Sequence, residues 1–360
     1  MYAIKLALKL NNKEKTLMAK HSGFRRVVFN AALRARVGLY GDVKVSDGKA
    51  ITTFKKVLTN FIKKRPENSW MNELSSRVYQ NALRDLAEAF TRYRKKLGEH
   101  PAYAKKKDGQ SFTVDNSSGK YLVKAGNKIK IPTLGTFRLE ESLSCSYISQ
   151  TFTISRIAGR WFVSFAVDAE RLPVKHSQGN VGIDVGVKTF ATLSNGQTFN
   201  AHLPYRLAKT KLATMQRKAS KQVKGSNNQL KTYNSVAQLY ADVANQRKDF
   251  LHKLTTYIAK TFSDIRIEDL NVKGMMANHK LAGAIADVGF YEFKRQLLYK
   301  CQMYGAKLTL VNQWYPSSKT CSGCGHIQPM PLKQRIYECP ECNLVIDRDL
   351  NASINISNWE

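Results

Sequence analysis

No run of apolar residues in this 360-residue sequence is long enough to cross a bilayer: the longest, about Trp161 to Val167, falls far below the roughly 20 that a spanning helix needs. The opening stretch, residues 1–10, is interrupted by Lys5 and Lys9, so neither a membrane segment nor a secretory leader is expected. Cysteine is sparse. Six in the whole chain exclude a disulfide-built scaffold, and four of them fall in two close pairs, the usage of a metal site in a reducing cytosol. Negative charge is scarcer still relative to its counterpart: 27 Asp and Glu face 58 Lys and Arg, a formal charge of +31. Disorder does not follow, because 43% of the residues are hydrophobic and 10% aromatic, which is enough to build cores. A positive excess of this size repels itself unless a polyanion neutralises it, and the abundant soluble polyanions are nucleic acids.

Residues 2–8 alternate apolar and polar side chains like a strand, and 11–98 then changes to helical spacing with few breakers. There Val78, Ala82, Leu86, Ala89 and Tyr93 recur every three to four positions, while 77–107 carries nine basic side chains against three acidic. The pattern predicts a helix with one apolar and one cationic face. Residues 109–169 return to short strands, expected at 111–114, 128–131, 150–157 and 161–167, with turn residues at Ala125-Gly126-Asn127 and Ala158-Gly159. That order predicts a small β-barrel interrupted by helices. It does not separate a generic β-domain from a nucleic-acid platform.

After a linker expected at 172–180, an apolar strand at 181–188 contains one carboxylate, Asp184. An Asp inside a buried strand is costly unless a cation or hydrogen bonds compensate, and the flanking Gly182 and Gly186 are expected to let a metal and a phosphodiester come close. A second short strand, 265–270, ends in Glu268 and Asp269, and a third acidic cluster, Asp347-Arg348-Asp349, opens a final helix at 350–356. Three such clusters can meet at the carboxyl edge of one sheet. Convergent carboxylates without His or Cys beside them select hard divalent ions, Mg²⁺ or Mn²⁺. Two such ions about 4 Å apart activate water and stabilise a leaving 3′ oxygen in phosphodiester hydrolysis. Any one cluster alone is more simply a cap or a surface group.

Between the second and third clusters stand Cys321-Ser322-Gly323-Cys324, a gap of 14 residues, and Cys339-Pro340-Glu341-Cys342. Four thiolates make a closed tetrahedral site with no position left for water, so one structural Zn²⁺ is expected, organising two small hairpins. His326 is then a bystander, and Cys145 and Cys301 read as core cysteines. Residues 204–260 hold twelve basic side chains against two acidic, interleaved with apolar contact positions. Such helices can pack and still present a positive wall. The candidates for nucleic-acid contact are Arg217, Lys218, Lys221, Arg247 and Lys248 there, and Lys105, Lys106 and Lys107 in the first half.

The succession GIDVGVKTFATLSNG (182–196), NQRKDFLHKL (245–254), IEDLNVKGM (267–275), FYEFKRQLLYK (290–300), WYPSSKTCSGCG (314–325), YECPECN (337–343) and DRDLNASINI (347–356) resembles TnpB, the insertion-sequence family of RNA-guided DNA nucleases related to type V CRISPR effectors. The match runs from about 180 to 356; residues 1–175 fit only the family's outline. The resemblance implies a multidomain α+β chain. A wedge-like β-barrel would occupy 1–10 and 105–175, a helical recognition lobe 11–104, an RNase H-like RuvC nuclease domain 176–315 and 343–360, and a zinc ribbon that binds target nucleic acid 316–342. It implies Asp184, Glu268 and Asp349 as the three catalytic, metal-holding acids, with Asp269 and Asp347 as neighbours. Further implications are two Mg²⁺ ions, replaceable by Mn²⁺, a noncoding guide RNA, and double-stranded target DNA with a displaced strand. The protein would act as a monomer on its RNA in a prokaryotic cytosol. A compact CRISPR effector with the same chemistry and a guided DNA-binding regulator without cleavage are the alternatives. A plain zinc-ribbon accessory factor would have no use for the buried acids.

Overall fold

The computed structural model describes residues 2–40, 47–106, 109–167, 174–331 and 333–359. The chain divides into two compact units, 1–169 and 170–360.

The first unit opens with strand β1 (Tyr2–Lys9) and passes into helices α1 (Asn12–Tyr40), α2 (Asp47–Val57) and α3 (Ser76–Arg94), with a π turn at Leu58–Ile62 and a 3₁₀ segment at Pro66–Glu73 before α3. Helix α1 starts where a reciprocal capping pair forms: Asn11 Oδ1 accepts from Glu14 N at 2.9 Å, and Glu14 Oε2 accepts from Asn11 N at 2.8 Å. Seven strands follow: β2 (Gln110–Asp115), β3 (Tyr121–Val123), β4 (Gly126–Ile131), β5 (Gly135–Leu143), β6 (Tyr147–Ser149), β7 (Thr151–Ile157) and β8 (Arg160–Val167). Period-two alternation turns Trp161, Val163, Phe165 and Val167 of β8 inward with Phe152 and Ile154 of β7, Phe112 and Val114 of β2, and Val78, Ala82, Leu83, Leu86 and Phe90 of α3. Tyr93, expected on that helical stripe, is exposed and meets His100 edge-on at 5.2 Å, beyond the core.

The expected barrel is an open six-stranded antiparallel sheet, in the order β2-β7-β8-β1-β5-β4, with a separate β3–β6 ribbon. Among the described residues no ladder joins β2 to β4. Helices α1 and α3 pack on β2, and Asn81 of α3 donates to Asp115 at its end, 3.0 Å. Cys145, expected in a core, is exposed in the turn between β5 and β6. Lys107 and part of the expected linker, 172–173, lie outside the described residues.

The second unit is built on five strands: β9 (Gln178–Val185), β10 (Thr189–Leu193), β11 (Thr198–Asn200), β12 (Phe262–Glu268) and β13 (Lys307–Val311). Their order is β11-β10-β9-β12-β13, antiparallel from β11 to β9 and parallel from β9 to β13. Strand β9 therefore begins inside the expected linker. Between β11 and β12 run α4 (Pro204–Lys221) and the 35-residue α5 (Asn227–Thr261); between β12 and β13 run α6 (Val272–Met276), α7 (Ala282–Val288) and α8 (Phe290–Tyr304). A hairpin, β14 (Ile336–Glu338) and β15 (Val345–Asp347), leads into α9 (Arg348–Ser357). This hairpin passes the boundary expected at 342, with the second cysteine pair in the turn between its two strands.

Val181 and Ile183 face the core made with Leu251, Leu254 and Ile258 of α5 and Phe293 and Leu297 of α8. Gly182 faces the other way, onto α9. A Cβ there would lie 2.0 Å from Ser353 O and 2.3 Å from Ser357 N, so only glycine lets the helix backbone reach the strand. That corrects the expected role of this glycine: it admits a helix, not a ligand.

Candidate functional site

The register of β9 and β12 brings two acids together. Arg266 pairs with Gly182 and Ile267 with Ile183, so one further step sets Glu268 beside Asp184 on neighbouring parallel strands, both on the face that carries α9. Asp349 comes from the first turn of α9, a turn fixed by Asp347, whose Oδ1 accepts from Asp349 N at 2.9 Å and from Leu350 N at 3.0 Å. Asp347 is thus the helix cap. Asp269 is exposed and paired with Lys294.

Burial pushes the Asp184 carboxyl well above the usual carboxylate range, and the negative charges of Glu268 and Asp349 add to the rise, while Arg348 and the Val185 N–H oppose it. Burial also raises Glu268, against a hydrogen bond from Ser317 Oγ, 2.5 Å, that favours its ionised form. Glu268 and Asp349 are close enough for their charges to act on Asp184. Among the described residues, however, only the four cysteines form a metal-binding set with all donor atoms within 4.8 Å of one another. The donor set of three carboxylates suits a hard divalent ion.

A cavity of about 960 Å³ opens on Asp184 and Asp349, and its wall carries Lys188, Arg206, Lys209, Lys280, Arg335 and Arg348. Arg335 lies 3.6 Å from Asp349. Carboxylates ringed by cations fit a substrate that is itself a polyanion and a reaction centre that gathers metal ions. Asp287, also on this wall and 2% exposed, serves structure: its oxygens accept from Tyr205 N at 3.1 Å and Arg206 N at 3.0 Å, capping α4, and from Arg247 at 3.1 Å. A lone Asp within the apolar run 284–288 was the sequence signal for it.

Arg247, a sequence candidate for nucleic-acid contact, is therefore committed internally, its Nε also donating to Asp287 O at 2.7 Å. Arg217, Lys218, Lys221 and Lys248 are exposed along α4 and α5, and Lys105 and Lys106 are exposed in the first unit. Lys300, which the pattern did not single out, is buried between α8 and α5 and donates to Thr255 Oγ1, Thr256 Oγ1 and His252 O at 2.7–2.8 Å. Burial lowers its pKa to about 8.

Cys321, Cys324, Cys339 and Cys342 come together from the two predicted knuckles, with Sγ–Sγ separations of 3.6 Å for Cys321–Cys342 and for Cys324–Cys339. Sulfurs about 2.3 Å from a central Zn²⁺ would stand roughly 3.8 Å apart, so the four fit a tetrahedral site. Each knuckle turns through a left-handed residue just after its second cysteine, Gly325 at φ 81° and Asn343 at φ 58°. Tyr337, fully buried, ties the two halves by donating to Lys319 O and His326 O, both 3.1 Å. The His326 ring is not among the clustered donors, and Cys301 lies in the core of the second unit, its thiol pushed up to about 12 by burial.

Fold and site together define a basic, multidomain α+β protein with a carboxylate cluster in a cationic cavity and a four-cysteine centre. Residues 164–279 match the family model OrfB_IS605, described as a probable transposase, and 290–356 match the Cas12f1-like TNB domain. A "Putative RNA-guided DNA endonuclease" of Streptomyces pristinaespiralis is 34% identical over 94% of this chain and 84% of its own length. "Putative RNA-guided DNA endonuclease InsQ" of Escherichia coli is 30% identical over 99% and 91%. The CRISPR-associated endodeoxyribonuclease Cas12f1 of an uncultured archaeon is 22% identical over 55% of this chain and 41% of its own. The chain belongs to the TnpB family of the OrfB type.

Proposed function

We propose that this protein is the RNA-guided DNA endonuclease of a mobile element, cutting through one carboxylate site in its second unit. What carries the reading is the register that sets Glu268 of β12 beside Asp184 of β9, together with the cavity that Asp184 shares with Asp349 of α9, in a chain with this charge and family membership. The order β11-β10-β9-β12-β13, three antiparallel strands followed by two parallel ones, supports an RNase H-like, RuvC-type assignment for 176–315 and 343–360. The knuckles at 316–342 would be the zinc ribbon, and the first unit the wedge (1–10, 105–175) and recognition lobe (11–104), which would read a short DNA motif beside the target.

Two bound Mg²⁺ or Mn²⁺ ions would supply an activated water and neutralise the leaving 3′ oxygen. This chain's own residues do the rest. Asp184, Glu268 and Asp349 would present oxygens to hold the cations, and a bound cation would offset first the burial and then the charges of Glu268 and Asp349 that together raise the Asp184 carboxyl. Lys188, Arg206 and Lys209 on the cavity wall orient the phosphodiester by charge. The exposed bases of α4 and α5 bind an RNA scaffold through its backbone, leaving sequence choice to guide pairing with one strand of double-stranded DNA. The displaced strand, then the paired one, would enter the same site. A monomer on its RNA, in a prokaryotic cytosol, fits this scheme.

The test is Asp184→Ala in the complex with the RNA that co-purifies from the native locus. Cleavage of a matched duplex should vanish while guided binding persists; undiminished cleavage overturns the assignment.

A further inference from the structure

We infer that Ser317, held in place by Asn351 and Asn355, is a positioning residue that fixes Glu268 relative to Asp349. The inference rests on the reading of these acids as the metal-holding set. It starts from a hydroxyl: Ser317 is 5% exposed and its Oγ donates to Glu268 Oε1 at 2.5 Å. One carboxylate oxygen is thereby occupied and the other is left to face a cation, which settles the orientation of a side chain that otherwise rotates about three bonds.

The serine is itself anchored to the helix that bears the third acid. Asn351 and Asn355 stand four residues apart on one face of α9, 0% and 4% exposed. Asn355 Nδ2 donates to Ser317 O at 2.7 Å and to Thr320 O at 2.6 Å. Asn351 Nδ2 donates to the same Thr320 O at 2.7 Å, and its Oδ1 accepts from Ser322 N at 2.9 Å. The bridging segment is stiffened from within, Lys319 N and Thr320 N both donating to Pro316 O. Two buried amides on α9 thus grip the backbone of 317–322, the loop that delivers Cys321 to the cysteine centre. Asp349 lies two residues before Asn351 on that helix. A rigid path therefore connects Asp349, the asparagine pair, Ser317 and Glu268, spanning two elements that the β9–β12 register alone does not tie together. Buried asparagine amides are costly without partners, and these spend their hydrogen bonds on this loop.

The experiment is a Mn²⁺ titration of the full chain, followed by electron paramagnetic resonance, on wild type, Glu268→Ala, Ser317→Ala and Ser317→Thr, with zinc content and melting midpoint measured on each. Loss of a residue that orients a ligand costs about 10–100-fold in metal affinity. Ser317→Ala should therefore weaken Mn²⁺ binding by about that factor with zinc retained, Ser317→Thr should restore it, and guided cleavage by the alanine variant should recover in excess Mn²⁺. If Ser317→Ala binds Mn²⁺ like wild type while Glu268→Ala does not, Ser317 positions nothing and the inference falls alone. If Glu268→Ala also matches wild type, the reading of the acids falls, and the inference with it. Should alanine lower the melting midpoint, Ser317→Cys, close in size but a feeble donor, decides by the same titration: weakened binding at an unchanged midpoint supports the inference, and wild-type binding overturns it.

Discussion

Replacing Gly182 by alanine tests the geometry on which the site depends. The added Cβ would meet Ser353 O at 2.0 Å, Ser357 N at 2.3 Å and Ser357 Cα at 2.8 Å, all backbone atoms of α9 that no rotamer change can move. Restoring ordinary contact at about 3.4 Å requires α9 to retreat from β9 by roughly 1.4 Å along the closest approach. Such a retreat stretches the bonds from Asn180 Nδ2 (2.6 Å) and Arg266 Nη1 (2.9 Å) to Ser357 O beyond useful length. Overpacking alone costs about 1–3 kcal/mol, and the two lost bonds add about 1 kcal/mol each, so the total is about 3–5 kcal/mol. In a unit of this size that lowers the melting midpoint by roughly 6–20 °C. Because Asp349 rides on the same helix, guided cleavage should fall too. Calorimetry and a cleavage assay on the full chain, with Gly179→Ala on the same strand as control, give the answer. A Cβ at Gly179 meets nothing within 4 Å, so the control should stay within about 0.5 kcal/mol of wild type. A Gly182→Ala protein that melts with its control and cuts at the wild-type rate would refute the argument.

The raised carboxyl of Asp184 makes the protein without added magnesium lose stability as pH rises through that elevated pKa, since the fold favours the protonated form; Asp184→Asn should remove this loss, melting higher than wild type at neutral pH while failing to cut, and parallel melting curves across pH would contradict it. Cys339→Ser should cost the bound zinc and lower the melting midpoint, because the sulfurs hold together the small cluster of Met330, Tyr337 and Cys321; elemental analysis finding no zinc in wild type would end that expectation. Neutralising the exposed Lys218 and Lys221 should weaken RNA binding and flatten its log–log salt dependence by about 0.7–0.9 per lost phosphate contact, and an unchanged slope would place the RNA elsewhere.

Much of the fold was legible from periodicity where one face is apolar and the other polar. Strand β8 falls where the alternation from Trp161 to Val167 put it, and β7 likewise. Strand β5 was missed because Arg138, Glu140 and Glu141 give it the composition of a surface loop; only pairing with β1 and β4 makes it a strand. The cysteine pairs were readable because tetrahedral ligation needs two short, regularly spaced turns, which leave a local signature. The acids were readable as clusters, but which one of each pair faces inward depends on strand parity and on the capping of α9 by Asp347.

What the sequence determined by itself is therefore whatever is encoded over a few neighbouring residues: charge excess, knuckle spacing, strand and helix periods, and the family motifs. The tertiary structure alone decided which groups are spent on the fold. It turned Gly182 from a ligand-approach residue into a helix seat, took Arg247 out of the nucleic-acid face to satisfy buried Asp287, and set Ser317 against Glu268 across 49 residues of chain. Such assignments depend on contacts between distant segments, and a one-dimensional pattern carries no record of which side chain a folded chain will bring opposite another.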